Sequence, residues 1–130
     1  MMNLKKTFLA LAIMLGLVFA VQQLQAANGV DVKQAQTMSQ QGALLLDVRE
    51  PEEYAAIHAA NAKLIPLGQV GMRLKEIENW KDKPVAVICR SGHRSAKAVA
   101  LLQEAGFTQV VNVQGGTNAW VQAGLEVVKQ

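Results

Sequence analysis

Cysteine is nearly absent from this 130-residue chain: there is one, Cys89. A single thiol cannot close an intramolecular disulfide. Two isolated histidines and one cysteine do not make a metal-ligand cluster, and neither a metal nor an organic cofactor is expected. No internal repeat and no low-complexity segment appears. No apolar run reaches the ~20 residues that a membrane-spanning helix needs; the longest, from Phe8 to Val21, is shorter.

That apolar stretch follows Lys5 and Lys6 and precedes the small residues of Leu24-Gln25-Ala26. A basic start, a short apolar centre and a small-residue exit are the layout of a secretory signal peptide. Residues 1–26 are therefore read as a leader, with cleavage after Ala26 or, alternatively, after Ala20. The competing reading is an uncleaved N-terminal helix that anchors the chain in the membrane. No cysteine lies near the junction, which excludes a lipoprotein anchor. The expected location is the periplasm or the exterior, with membrane contact only if the leader stays on. Without it, 11 basic residues face 10 acidic ones, so the computed pI of 9.2 overstates the basicity of the working protein. No polybasic patch remains to suggest nucleic acid as a partner. Residues 27–130 suffice for one domain with one core.

Within residues 27–130, short apolar runs alternate with amphipathic stretches. Asp31 is a helix N-cap, with the helix running to about Gln41 and stopping at Gly42. Ala43 to Leu46 and Val85 to Ile88 are wholly apolar, as strands buried on both faces are; Val110-Val111 is a third. Pro51-Glu52-Glu53-Tyr54 opens a short helix, and Leu64-Ile65-Pro66 is a brief extended piece. Val70, Leu74 and Ile77 recur at helical spacing, and Ser95 to Ala105 forms a helix ended by Gly106. Gly115-Gly116 makes a turn, and Thr117 is expected to cap a last helix that contains Trp120. Strands alternating with helices predict an α/β domain with a mostly parallel sheet, whose sites lie beyond the carboxyl ends of its strands. The 85–88 strand ends at Cys89.

From Cys89 to Arg94 a polar loop joins that strand to a helix. Gly92 permits positive φ, so the loop can close into a cup of inward-pointing N–H groups. The helix behind it adds the positive end of its dipole, and Arg90 and Arg94 add charge at the rim. A thiol at the centre of such a cup favours the thiolate, the nucleophilic form.

Cys89-Arg90-Ser91-Gly92-His93-Arg94 resembles the active loop of the rhodaneses, Cys-Arg-x-Gly-x-Arg before a helix. Leu44 to Tyr54 is similar to the family's first signature, Ile65-Pro66-Leu67 to its second segment, and Val113-Gln114-Gly115-Gly116 with Trp120 to its C-terminal end. The resemblance covers roughly residues 30–128. It implies a three-layer fold with helices on both faces of a central, mostly parallel sheet. It further implies a thiosulfate sulfurtransferase in which Cys89 carries sulfane sulfur as a persulfide, with Arg90, Ser91, Gly92, His93 and Arg94 forming the substrate-binding cup. The partners would be a small sulfur donor and a thiol or cyanide acceptor, with a thiol-bearing protein as another possible partner. A sulfur-relay or redox-interaction module with little action on thiosulfate is the alternative. Thiol phosphatases and arsenate reductases of the same fold use a cup one residue longer, so loop length favours sulfur transfer. Arg94 either anchors an anionic substrate or braces the loop. His93 reads as a rim residue and Tyr54 as packing. Asp47, Arg49, His58, Gly115 and Gly116 are read as structural support, with Asp47 pairing with Arg49 or capping backbone N–H groups. One stretch departs from the family: Ile57-His58-Ala59-Ala60-Asn61-Ala62 stands where rhodaneses read Gly-His-Ile-x-Gly-Ala, so two glycines are missing.

Overall fold

A strand whose residues are all apolar on both faces has to be covered on both sides, and Leu44-Leu45-Leu46 and Val85-Ala86-Val87-Ile88 are such segments. A computed structural model describes residues 29–130; the leader expected at 1–26 lies outside the described residues. In it, β1 (Leu44–Asp47) and β4 (Val85–Ile88) are the two central strands of a four-stranded parallel sheet ordered β3-β1-β4-β5. β3 is Lys63–Leu64 and β5 is Val110–Asn112. All eight residues of the central pair are buried, and Leu44 to Asp47 register against Val85 to Ile88.

Side chains alternate across a strand, and the alternation splits the core in two. Leu44, Leu46, Val48, Val85, Val87 and Cys89 face one side, where Ala98 and Leu102 of α3 (His93–Glu104) pack on them. Leu45, Ala86 and Ile88 face the other, beneath Val32 and Ala35 of α1 (Val32–Gln40) and Trp120 of α4 (Gly116–Gln122). Each fully buried Leu or Ile contributes about 1.5–3 kcal/mol. The result is the expected α/β architecture of a parallel sheet between helical layers. α1 begins on a reciprocal cap: Asp31 Oδ1 accepts from the Gln34 amide at 2.8 Å, and Gln34 Oε1 accepts from the Asp31 amide at 2.9 Å.

Two local expectations need correction. The stretch through Val70, Leu74 and Ile77 is not one α-helix but two 3-10 helices, Leu67–Gln69 and Leu74–Trp80. Val70 and Ile77 are fully buried, so the apolar spacing reported burial, and the tighter turns meet it without an α-helix. Thr117 is not the cap of the last helix. Gly115 holds that position in a left-handed conformation, and the Thr117 hydroxyl, inside the first turn, donates back to the Cys89 carbonyl at 3.0 Å. A small antiparallel sheet adds to the central one: β2 (Ile57–Ala59), following α2 (Pro51–Ala56), pairs with β6 (Val127–Lys129).

Candidate active site

Cys89 leaves the carboxyl end of β4 and is buried, with 1% of its surface exposed. Gly92 sits at φ 121°, which side-chain-bearing residues rarely adopt, and this turns the chain so that its amide reaches the Cys89 Sγ at 3.1 Å. Ser95, in the first turn of α3, places its hydroxyl oxygen 3.2 Å from the same sulfur. Burial pushes the thiol up; the Ser95 hydroxyl and the amides of Ser95, Gly92 and Ser91 pull it down. The donors prevail, and the thiol lies below its ordinary value. This is the inward-facing cup of N–H groups, closed by the helix terminus.

The charged groups around the cup divide into paired and unpaired. Asp47 and Arg49 are both buried; Asp47 accepts from the Arg49 amide at 3.0 Å and from its guanidinium at 2.8–3.1 Å, and Arg49 Nη2 also donates to the Ile57 carbonyl at 2.7 Å. That pair ties the end of β1 to the start of β2. Arg94 makes a bidentate contact with Glu53 of α2, at 2.6 and 2.9 Å. The hydrogen-bonded guanidinium holds the Glu53 carboxyl at about 2. Cys89 and Asp47 in turn add to the field that holds the Arg94 charge. Arg90, Ser91 and His93 are exposed on the rim, and Arg90 has no side-chain partner among the described residues. Beside the cup, between α2–β2 and α4, a cavity of ≈ 540 Å³ is lined by Arg49, Glu53, Ile57, Arg90, Thr117 and Asn118, among others.

A second turn holds the cup from outside. The amides of Thr117 and Asn118 donate to the carbonyls of Cys89 and Arg90 at 2.8 and 3.1 Å. This requires the backbone at Gly116 to come so close that an added Cβ would lie 2.5 Å from the Cys89 carbonyl oxygen. His58 bonds to Tyr54 and not to the sulfur. Its ring stacks on Tyr54, with centroids 3.7 Å apart, and its Nδ1–H donates to the Tyr54 carbonyl at 2.7 Å, while the Tyr54 hydroxyl donates to the Ala62 carbonyl at 2.6 Å. The two missing glycines have a simple explanation. Ile57 is in extended backbone, φ −161°, where any residue fits. Asn61 takes the left-handed conformation, φ 68°, that asparagine tolerates best after glycine.

Sequence reasoning missed four residues that the structure brings to the site. Ser95 was read only as the start of a helix, Glu53 only as a first-turn acid, Thr117 only as a cap, and Asn112 not at all. Asn112 ends β5; its Oδ1 accepts from the Ser95 hydroxyl at 2.6 Å and its Nδ2 donates to the Gly92 carbonyl at 3.2 Å. A polar residue ending a buried strand beside a cysteine loop was the available signal.

Known proteins resemble this chain in sequence and in fold. Residues 31–123 match the rhodanese-like domain family. A protein of Allochromatium vinosum named sulfurtransferase is 40% identical over 85 residues, spanning 65% of this chain and 78% of its own length. The thiosulfate sulfurtransferase GlpE of Pseudomonas syringae is 34% identical over 88 residues, 68% of this chain and 81% of that one. Several other curated relatives are longer, the match spanning 60%, 54% and 20% of their lengths. The crystal structure of a rhodanese-related protein from Thermoplasma volcanium superposes with a TM-score of 0.70 at 34% identity, covering 78% of this chain and 98% of that one.

Proposed function

The chain belongs to the rhodanese-like domain family, and from that premise we propose that it is a sulfurtransferase that carries sulfane sulfur as a persulfide on Cys89. The observation that carries the reading is the sulfur itself: a buried nucleophile at a helix N-terminus, ringed by the Gly92 amide and the Ser95 hydroxyl, in a loop of six residues from Cys89 to Arg94. In the proposed cycle the Cys89 thiolate attacks the outer sulfur of thiosulfate or a similar donor. The sulfur–sulfur bond of the donor breaks, sulfite leaves with the electron pair, and Cys89 holds a persulfide anion. A thiol or cyanide then attacks the terminal sulfur, and Cys89 departs as thiolate. The amides of the cup stabilise negative charge on sulfur at both steps.

In this reading Arg94 and the exposed Arg90 draw the anionic donor toward the cup, and Glu53 fixes the direction of Arg94. Export through the leader at residues 1–26 is part of the same proposal, supported by its basic, apolar and small-residue order. N-terminal sequencing of protein from cells should find a start near Ala27; full-length chain in the membrane fraction would replace the soluble form with the anchored one.

Intact-protein mass spectrometry after thiosulfate treatment is the direct test of the chemistry. Wild type should gain one sulfur atom, lose it to cyanide, and turn over p-nitrophenyl phosphate negligibly. Cys89→Ser should fold and gain no sulfur. Sulfurtransfer near wild type in that variant would refute the covalent route. Uptake from a thiol protein but not from thiosulfate would favour the relay module.

A further inference from the structure

The hydrogen bonds around Ser95 can be assigned without seeing a hydrogen atom. The Gly92 carbonyl can only accept, so the end of Asn112 that faces it at 3.2 Å is the amide nitrogen. This turns Asn112 Oδ1 toward Ser95, 2.6 Å from its hydroxyl oxygen. An amide oxygen also only accepts, so the Ser95 hydroxyl donates to Asn112. A serine hydroxyl has one proton. What Ser95 then presents to Cys89, at 3.2 Å, is a lone pair. In this arrangement Cys89 is a thiol whose S–H donates to Ser95. Ionisation reverses the demand: a thiolate facing that lone pair is repelled unless the hydroxyl turns to the sulfur, and Asn112 Oδ1 then loses its donor.

We propose that Asn112 is a positioning residue for the sulfur cycle: it competes with Cys89 for the single hydroxyl proton of Ser95 and yields it only while negative charge sits on Sγ. The three states of the site follow, on the persulfide reading above. In the thiol and in the persulfide, whose charge lies on the terminal sulfur, Ser95 stays on Asn112. Only the free thiolate takes the proton away. Asn112 therefore penalises the free thiolate, the form in which Cys89 is left as sulfur departs, and favours retention of the persulfide until an acceptor attacks. When a thiolate attacks, it bonds to the terminal sulfur, the sulfur–sulfur bond to Cys89 breaks, and the electron pair stays on Sγ as the Ser95 hydroxyl swings to it. The other charged groups about the sulfur are Arg94 on α3, held by Glu53 of α2, Asp47 on β1, and the exposed rim residues Arg90 and His93. None of them changes in the variants below, so their influence is common to all samples.

The test is the pH profile of iodoacetamide alkylation of Cys89 in sulfur-free protein, which needs no sulfurtransfer. Asn112→Ala should lower the midpoint by about half a unit to one unit, the worth of one hydrogen bond. Ser95→Ala should raise it, because the thiolate loses its donor. In the Ser95→Ala background, Asn112→Ala should do nothing. A purely structural role would move both single variants in the same direction. Asn112→Leu, of similar size, repeats the measurement should the alanine variant unfold. An unchanged midpoint in both Asn112 variants, or an equal shift with Ser95 removed, overturns the proposal. Discharge of the persulfide to cyanide should be severalfold faster in Asn112→Ala. If wild type takes up no sulfur, it is the sulfurtransferase reading that fails, while the alkylation series still decides on Asn112.

Discussion

Two turns leave neighbouring parallel strands and enter helices through glycines at positive φ, and they do different work. At the first, from β4 into α3, Gly92 has open space where a side chain would go: the nearest atom to an added Cβ is Asn112 Nδ2 at 3.9 Å. At the second, from β5 into α4, an added Cβ on Gly116 would meet the backbone of Cys89 and Arg90 at 2.5–2.6 Å. Gly92 is required for its dihedral angle, Gly116 for both its angle and its lack of volume. The first turn aims N–H groups inward at sulfur; the second aims them at the outer carbonyls of the first. The Cys89 loop is thus held by a neighbour that bonds its carbonyls and not its sulfur, which leaves its inward donors facing Sγ.

Substitution should separate the two turns, and the largest effect belongs to the second. Gly116→Ala sets a methyl group against backbone that cannot move aside, so it should cost roughly 3 kcal/mol and lower Tm by more than about 10 °C. Gly92→Ala should cost less stability, about 1–2 kcal/mol of backbone strain, yet lose more than about tenfold in sulfurtransfer, because the amide donating to Sγ is displaced. Calorimetry beside thiosulfate:cyanide turnover distinguishes them, and the reverse order would dissolve the division of labour.

Arg94 sharpens the comparison at the rim. Arg94→Ala should lower kcat/KM for thiosulfate about tenfold, the worth of a charge-assisted contact, while Glu53→Gln, which keeps the cation, should lower it less. Equal losses would confine Arg94 to bracing. Stability reports the same pair. Because the Glu53 carboxyl sits at about 2 against an ordinary 4.5, its contribution is fully present above about 4.5 and is lost as pH falls toward 2. Both partners are about one-third exposed, so solvent screening reduces this to about 1 kcal/mol. Acid titration of Tm should show the loss in wild type and not in Glu53→Gln.

The smallest effect is expected at Thr117→Val. The Cys89 carbonyl loses the hydroxyl donor but keeps the Thr117 amide at 2.8 Å. A cost of about 1 kcal/mol with near-normal turnover is the prediction. A large loss of activity would mean that the second turn takes part in the chemistry.

Much of the architecture was legible because it is written in neighbouring residues. The wholly apolar runs Leu44 to Leu46 and Val85 to Ile88 announce strands covered on both faces, and Asp31 announces a cap. The short loop from Cys89 to Arg94, with a glycine able to take positive φ, announces the cup. Where the local signal was ambiguous it misled. The spacing of Val70, Leu74 and Ile77 suits any element that buries those three side chains, and the chain uses 3-10 turns. β2 and β6 were illegible: each has three residues, and neither is stable without a partner some 70 positions away.

By itself, then, the sequence determined which segments must be buried, where the backbone can turn through left-handed glycines, and that a lone thiol would stand at the end of a buried strand. The tertiary structure decided what surrounds that thiol. Asn112 meets Ser95 across 17 positions, Thr117 reaches the Cys89 carbonyl across 28, and Glu53 grips Arg94 across 41. No residue's own propensity encodes such a meeting. A hydrogen bond of this kind exists only once the parallel sheet has set its strand ends side by side and the helical layers have fixed which face each polar side chain presents.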